Sequence, residues 1–191
     1  WCNAWSEKEG KTPVYKNGSD VYRSGAILDP QVVTSANGYR LPTEAEWEFA
    51  ARGGTQSNGY TYSGGNDFDA VGWFYENAGL AVHEVSKKQA NELGIFDMSG
   101  NLFEWSGSWY PGWEGSYRVI RGGSWYRDAE FCSVALRGRD NPGYRFSSLG
   151  FRVATFGEYA LGITVQPTLS SDGSKLSVQA AGAGTLTYQW R

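Results

Sequence analysis

Few side chains in this 191-residue sequence can do covalent or metal chemistry, and their scarcity limits what that chemistry could be. Histidine occurs once, as His83. That excludes three-His and two-His-plus-carboxylate metal sites. It leaves a Ser-His-acid triad a single possible base, with no Gly-x-Ser-x-Gly elbow to support it. The two cysteines, Cys2 and Cys132, lie too far apart for a Cys-x-x-Cys redox motif or a zinc knuckle. Two readings remain open for them: small buried thiols, or a disulfide closing a long loop, which would imply an oxidising compartment. Asp97 and Glu104 stand in the pattern Asp97-x-x-Gly100-x-Leu102-x-Glu104. Taken alone, these are solvated carboxylates beside a hydrophobic turn. A third group mixes rings and charges without periodicity: Tyr126, Arg127, Asp128, Glu130, Phe131, Arg139, Asp140, Tyr144, Arg145 and Phe146. Amphipathic rings with Arg anchors are the composition of a recognition surface. The alternative is that Phe131 and Phe146 are core and the charges merely solvated.

The elements that would position these groups are short. Residues 1–9 are expected to be the end of an amphipathic helix, with Trp1, Ala4 and Trp5 on one face and Gly10 as its stop. Val14-Tyr15 and Val21-Tyr22 flank the Asn17-Gly18 turn signal of a hairpin. The clearest helix starts after Pro42. Thr43 caps it, Glu46 completes a capping box, Ala45, Trp47, Phe49 and Ala50 are its expected buried side chains, and Gly53-Gly54 ends it. Residues 55–95 are mostly loop, a length that is uncommon unless functional or pinned. Residues 118–125, 132–137 and 149–155 are strand candidates, with an irregular loop between the last two. Arg118, Arg121, Arg137 and Arg152 fall in or beside these strands and are expected to pair with carboxylates such as Glu46, Glu48 and Glu104. After Phe156 the composition turns to Ser, Thr, Gly and Ala with period-2 alternation around an Asp172-Gly173 turn. Residues 157–191 are expected to begin an all-β immunoglobulin-like sandwich, with Trp190 in the place of its buried Trp.

Composition sets outer bounds. A net charge of −3 gives no argument for nucleic acid or an anionic membrane surface. No apolar run is long enough to span a bilayer. Aromatics at 16% and 26 glycines point to a loop-rich fold with an aromatic core, not a helix bundle. The chain opens on Trp1 and stops inside an alternating pattern at Tyr188-Gln189-Trp190-Arg191, as a piece of a longer protein would.

The stretch Tyr39-Arg40-Leu41-Pro42-Thr43-Glu44-Ala45-Glu46-Trp47-Glu48-Phe49-Ala50-Ala51-Arg52-Gly53-Gly54 resembles the formylglycine-generating enzyme (sulfatase-modifying factor) family. Further blocks agree in order: Asn91 to Trp105, Arg118-Val119-Ile120-Arg121-Gly122-Gly123-Ser124-Trp125, and Leu149-Gly150-Phe151-Arg152-Val153. The resemblance covers about residues 1–156 and implies an α+β, C-type-lectin-like fold with a small antiparallel sheet, two helices and long irregular loops. The family's oxidases convert a sulfatase Cys to formylglycine with oxygen and copper, held by two thiolates spaced Cys-x4-Cys after the Gly-Gly-Ser-aromatic strand; soft Cu(I) favours soft ligands. Here Arg127 stands five residues before Cys132, so copper is not expected and Cys132 would be catalytic only if the chain were an oxidase. The resemblance also implies a structural calcium on the side chains of Asp97 and Glu104 and the carbonyls of Gly100 and Leu102. The family joins its first-helix Cys to the C-terminal sheet through the position of Val153, which leaves Cys132 as the partner expected for Cys2. The stretch from Tyr126 to Phe146 further resembles variable regions of bacterial proteins diversified by retroelements, which use this fold to display ligand-binding residues. The expected function is therefore a non-catalytic binding or display module for a protein, peptide or glycan on a secreted or surface-anchored bacterial protein. A formylglycine-generating oxidase and a structural spacer are the alternatives.

Overall fold

The computed structural model describes residues 1–25 and 27–156, together with the backbone of three strands between 168 and 189. The helix α2, Glu44–Ala51, starts as its sequence dictates. The Thr43 side chain accepts from the Glu46 N–H, and the Glu46 carboxylate takes the Thr43 N–H in return. Past its end, Gly53 and Gly54 adopt left-handed φ values of 85° and 58°. Its inward face is Trp47 and Ala51, whereas Ala45 and Phe49 are exposed, contrary to expectation. Trp47 and Ala51 pack on Met98 and Val134 to form the main core.

Helix α1, Cys2–Lys8, also forms, but it turns an unexpected face inward. Cys2, Asn3 and Ser6 are buried, while Trp1 and Trp5 stack on each other outside, 5.5 Å apart. Burial here is driven by hydrogen bonding. Asn3 donates to the carbonyls of Tyr15 and Tyr22 and accepts from the Tyr15 N–H, and the Ser6 hydroxyl accepts from the Tyr39 N–H. These small polar side chains complete the backbone of β1 (Tyr15–Asn17), β2 (Asp20–Val21) and β4 (Tyr39–Arg40), whose short ladders leave groups unpaired. The hairpin β1–β2 turns at Gly18 as expected, and β3 (Gln31–Val32) pairs with β1 on its other edge.

The main sheet has the order β7-β6-β5-β8, from β5 (Phe103–Trp109), β6 (Arg118–Arg121), β7 (Arg137–Asp140) and β8 (Leu149–Phe151). The sheet is mixed, which corrects the antiparallel expectation. β6 runs antiparallel to β5 and β7, but β8 lies parallel to β5, with Phe103 opposite Leu149. The loop 141–148 carries the chain from one edge of the sheet to the other. A two-stranded ladder joins β4 to β9, Ala154–Thr155.

The strand expected at 132–137 is replaced by a 3-10 turn at Ala129–Cys132 followed by β7. Arg121 explains the difference. Its buried guanidinium donates to the consecutive carbonyls of Val134, Ala135 and Leu136 at 2.9, 3.0 and 2.5 Å. Successive carbonyls on a strand point to opposite sides, so a run converging on one side chain cannot be a strand.

Residues 55–95 are held by internal hubs, with little regular structure. They contain one helical turn, α3 (Phe68–Val71). Tyr62, Phe68 and Phe74 stack at 4.3 and 4.5 Å, and this stack packs on Val71 and Cys132. Asn91 donates to the Ala50 carbonyl and the Ser63 hydroxyl and accepts from the N–H groups of Leu93 and Ile95. The residues after Phe156 include the strands β10 (Thr168–Leu169), β11 (Lys175–Gln179) and β12 (Thr185–Gln189), which form an antiparallel meander. Trp190, expected as a sandwich core residue, lies outside the described residues.

Candidate functional site

Arginine–glutamate pairs, each with one partner mostly buried and the other reaching solvent, frame the sheet. Arg121 pairs with Glu48 at 2.6 Å, Arg40 with Glu46, Arg137 with Glu44, and Arg152 with Glu104. Arg118 instead takes Asp29 and the Leu28 carbonyl, with its guanidinium 3.5 Å from the centre of the Trp109 ring.

The partners of Glu104 bear on the expected calcium ion. Both carboxylate oxygens are occupied: the indole N–H of Trp47 donates to one at 2.7 Å, and Arg152 donates to the two at 2.5 and 2.7 Å. The same guanidinium reaches the carbonyls of Phe96 and Asp97 at 3.1 and 3.2 Å. Asp97, at a left-handed φ of 57°, accepts from the Ser86 N–H with one oxygen and has the other buried without a partner. Gly100 is required by close packing, because a Cβ there would lie 2.3 Å from the Trp73 carbonyl. Among the described residues no group of three acidic, His or Cys side chains converges. Calcium takes six to eight oxygens, and Glu104 offers no oxygen free of a guanidinium or indole donor. In this arrangement Glu104 is committed to Arg152 and Trp47, and of the expected ligand set Asp97 keeps one buried carboxylate oxygen without a partner. Asn77 braces its own loop, accepting from the Phe74 N–H and donating to Asp69 and the Gly72 carbonyl.

The aromatic–arginine set is brought to the surface, but in two places. Tyr126, Arg127, Asp128, Glu130 and Phe131 are exposed on the segment after β6, and Tyr144, Arg145 and Phe146 are exposed on the loop 141–148. Phe131 and Phe146 are 39% and 51% exposed, so neither is core. Arg127 lies 5.9 Å from the rings of Phe131 and Phe103, at the start of β5. Phe103 in turn lies opposite Leu149, and its N–H donates to the Ser148 carbonyl, where the loop 141–148 ends. Tyr144 and Phe146 meet edge to face at 5.7 Å. Arg139 and Asp140 are not part of this group. Asp140, half-buried, caps the Asn141 N–H, and Arg139 sits beyond the other end of β5.

Cys132 sits beneath the segment 126–131, fully buried against Phe68, Val71 and Phe74. Burial pushes its thiol up to about 12, against weaker opposing effects from the Ser124 backbone and Arg127. Gly123 makes room for it: at φ 72°, a Cβ there would lie 2.3 Å from the sulfur and 2.7 Å from the Phe131 carbonyl. Gly123 is thus explained by packing onto Cys132, whereas Gly122, at φ 90°, faces the Trp47 ring and the Met98 carbonyl.

The sulfatase-modifying factor enzyme 1-like domain family matches residues 1–156. This chain belongs to that family. The domain is 36% identical over 172 residues to the chaperone protein LppX of Paenibacillus barcinonensis, covering 73% of this chain and 59% of the relative. It is 36% identical over 144 residues to the inactive C-alpha-formylglycine-generating enzyme 2 of Bos taurus, covering 66% and 47%. The chain therefore spans less than two thirds of the length of either relative. Among solved structures it superposes on Treponema denticola variable protein 1 with a TM-score of 0.71 and 34% identity, over 81% of this chain and 66% of that one.

Within this sulfatase-modifying factor domain the two thiols do not meet. Cys2 and Cys132 are both free and buried, which corrects the expected disulfide. Cys2 lies on α1 beside a cleft, whereas Cys132 is enclosed by the Phe68–Val71–Phe74 cluster and Gly123. That cleft, of about 690 Å³, was not foreseen from the sequence. It opens between α1, the β1–β3 sheet and the main sheet, and its walls include Trp1, Tyr15, Arg40, Trp105, Phe151 and Phe156. The Nε of Arg40 is buried there without a partner. The signal that could have located it is the exposed Trp1–Trp5 pair, whose Trp1 ring meets Phe151 at 5.2 Å.

Proposed function

We propose that this domain is a non-catalytic member of its family, a C-type-lectin-like binding or display module on a secreted or surface-anchored bacterial protein, with an immunoglobulin-like module following it. The observation that carries this reading is the state of the segment 126–132. A two-thiolate copper site needs ionised, approachable sulfurs. This segment supplies one sulfur, enclosed in an apolar cluster and held protonated, and Arg127 where the second would be. Above that sulfur the same segment and the loop 141–148 expose Tyr126, Arg127, Phe131, Tyr144 and Phe146, rings with little rotamer entropy to lose on binding. Exposed rings concentrated on these loops favour a binding role over a spacer. A relative named inactive and another named a chaperone support a role by contact. No helix among the described residues is long and apolar enough to cross a membrane.

The test incubates the purified chain with a Cys-x-Pro-x-Arg peptide, oxygen and copper, and follows the peptide by mass. No conversion to formylglycine is expected; conversion would overturn the reading. A glycan and peptide array probed with the chain and with a Tyr126→Ala/Phe146→Ala variant tests the binding half. A hit lost in the variant supports it, and no hit for either protein returns the domain to a spacer.

A further inference from the structure

The residue that the fold removes from the loop surface, Arg139, has assembled surroundings of its own. The hairpin between β5 and β6 folds over it. Its guanidinium carbon lies 5.0 Å from the Tyr110 ring centre, 4.5 Å from Trp113 and 5.4 Å from Tyr117. Trp113 and Tyr117 pack edge to face at 5.3 Å and 78°. Backbone bonds fix the hairpin tip: the Trp113 N–H donates to the Tyr110 carbonyl, and the N–H groups of Ser116 and Tyr117 donate to the Trp113 carbonyl. Trp113 is 46% exposed, and Arg139 is exposed as well.

Charge pairing separates Arg139 from its strand neighbours. Its neighbour Arg137, which also lies over Tyr110, is committed to Glu44. Arg118, in the adjacent strand, takes Asp29. Arg139 has no carboxylate partner among the described residues, in a chain whose acidic residues outnumber its basic ones by 20 to 17. The rings lie against the guanidinium carbon, and among the described residues its N–H fork has no hydrogen-bond acceptor. Such a fork matches a carboxylate in bidentate fashion. Ring contact also restrains the side chain, which reduces the entropy lost on binding.

We propose that the β5–β6 hairpin tip with Arg139 docks an acidic peptide segment of a protein partner, one carboxylate on the guanidinium and an apolar neighbour against Trp113. A polyanion such as nucleic acid would call for many cations, and here one is uncompensated. Trp, Tyr and Arg clustered in a rigid patch are the side chains that carry protein–protein hot spots. The site is independent of the loops around Tyr126 and Phe146, which lie at the opposite end of β5, and it stands whether or not those loops bind a ligand.

The experiment measures fluorescence anisotropy of the full chain with a short labelled peptide alternating glutamate and leucine, beside its glutamine counterpart. The glutamate peptide is expected to bind, more weakly as salt rises, and the glutamine peptide to bind at least tenfold more weakly. Arg139→Gln should weaken glutamate-peptide binding tenfold or more and Trp113→Ala by a smaller factor, with unchanged circular dichroism; Arg145→Gln and Tyr126→Ala should leave it unchanged. Equal binding of the two peptides, or an unaffected Arg139→Gln protein, overturns the proposal. Displacement of the peptide by a uronic-acid oligosaccharide at lower concentration than by unlabelled peptide would assign the patch to an acidic glycan and overturn the peptide assignment. Equal loss in Arg139→Gln and Arg145→Gln would merge the patch with the loop surface and overturn its independence.

Discussion

Replacing Arg152 by methionine isolates the charge that stands in the position expected for calcium. The substitution keeps much of the aliphatic stem and removes two of the three donors to Glu104, leaving only the Trp47 indole at 2.7 Å. Glu104 is 8% exposed, so its carboxylate would remain desolvated with one partner. Removing one member of a buried pair costs about 3–5 kcal/mol. Arg152 retains some solvent contact, its side chain being 26% exposed, so water can replace part of what is lost. A loss of about 3 kcal/mol is therefore expected, against a total stability on the order of 5–15 kcal/mol. That corresponds to a fall in melting temperature of roughly 6–12 °C for a chain of this length. Urea unfolding followed by tryptophan fluorescence reads it directly, since Trp47 reports on the same network. Glu104→Gln should cost less, and in the double variant Glu104→Gln/Arg152→Met the neutral amide should recover at least about 1 kcal/mol of the Arg152→Met loss. Excess calcium should leave the wild-type midpoint where EDTA leaves it. The reasoning is refuted if Arg152→Met lies within about 0.5 kcal/mol of wild type, the ordinary range for surface changes. A calcium-dependent rise in the midpoint that vanishes in Glu104→Gln would equally refute it.

Gly123→Ala should be strongly destabilising, by about 2–4 kcal/mol, because it combines a left-handed φ of 72° with a Cβ 2.3 Å from the Cys132 sulfur; near-wild-type thermal unfolding would exclude the packing account of this glycine. The Cys132 thiol should resist alkylation in the native protein at mildly alkaline pH and react fully in urea. Its pKa is raised from 9.0 to about 12, so below about pH 9 both states hold the proton and stability is unaffected, while between 9 and 12 only the unfolded chain ionises and stability falls as pH rises. The alkaline fall should be shallower in Cys132→Ala; equal slopes would show that the sulfur is solvated.

What the sequence disclosed follows from how local each signal is. The Thr43–Ala51 helix was legible because its capping box lies within a few residues, and the Asn17-Gly18 hairpin because its turn chemistry does. Pairing of the strand arginines with glutamates followed from the cost of burying an unpaired charge, although Glu46 went to Arg40 and Glu44 to Arg137. The buried face of α1 was not legible. A hydrophobic reading selects Trp1 and Trp5, whereas Asn3 and Ser6 are drawn inward by backbone groups of strands remote in sequence. The parallel placement of β8 and the turn at Ala129–Cys132 escaped for the same reason, since each depends on partners far along the chain.

The segment 126–132 shows what that distance dependence means for function. Its residue types were visible, but their meaning depended on depth. The thiol that could have carried chemistry lies at the bottom, packed on Phe68, Val71, Phe74 and Gly123. The aromatic and charged side chains lie on top. A nucleophile needs access and a lowered pKa, and a binding surface needs rigid exposed rings. The fold denies the first to Cys132 and grants the second to Tyr126 and Phe131. Gly123, which lets the sulfur pack so tightly, also lies against the Phe131 carbonyl of the chain above it. Burial of the thiol and display of the rings are therefore one arrangement, and a change that freed the sulfur for catalysis would have to move the surface it supports.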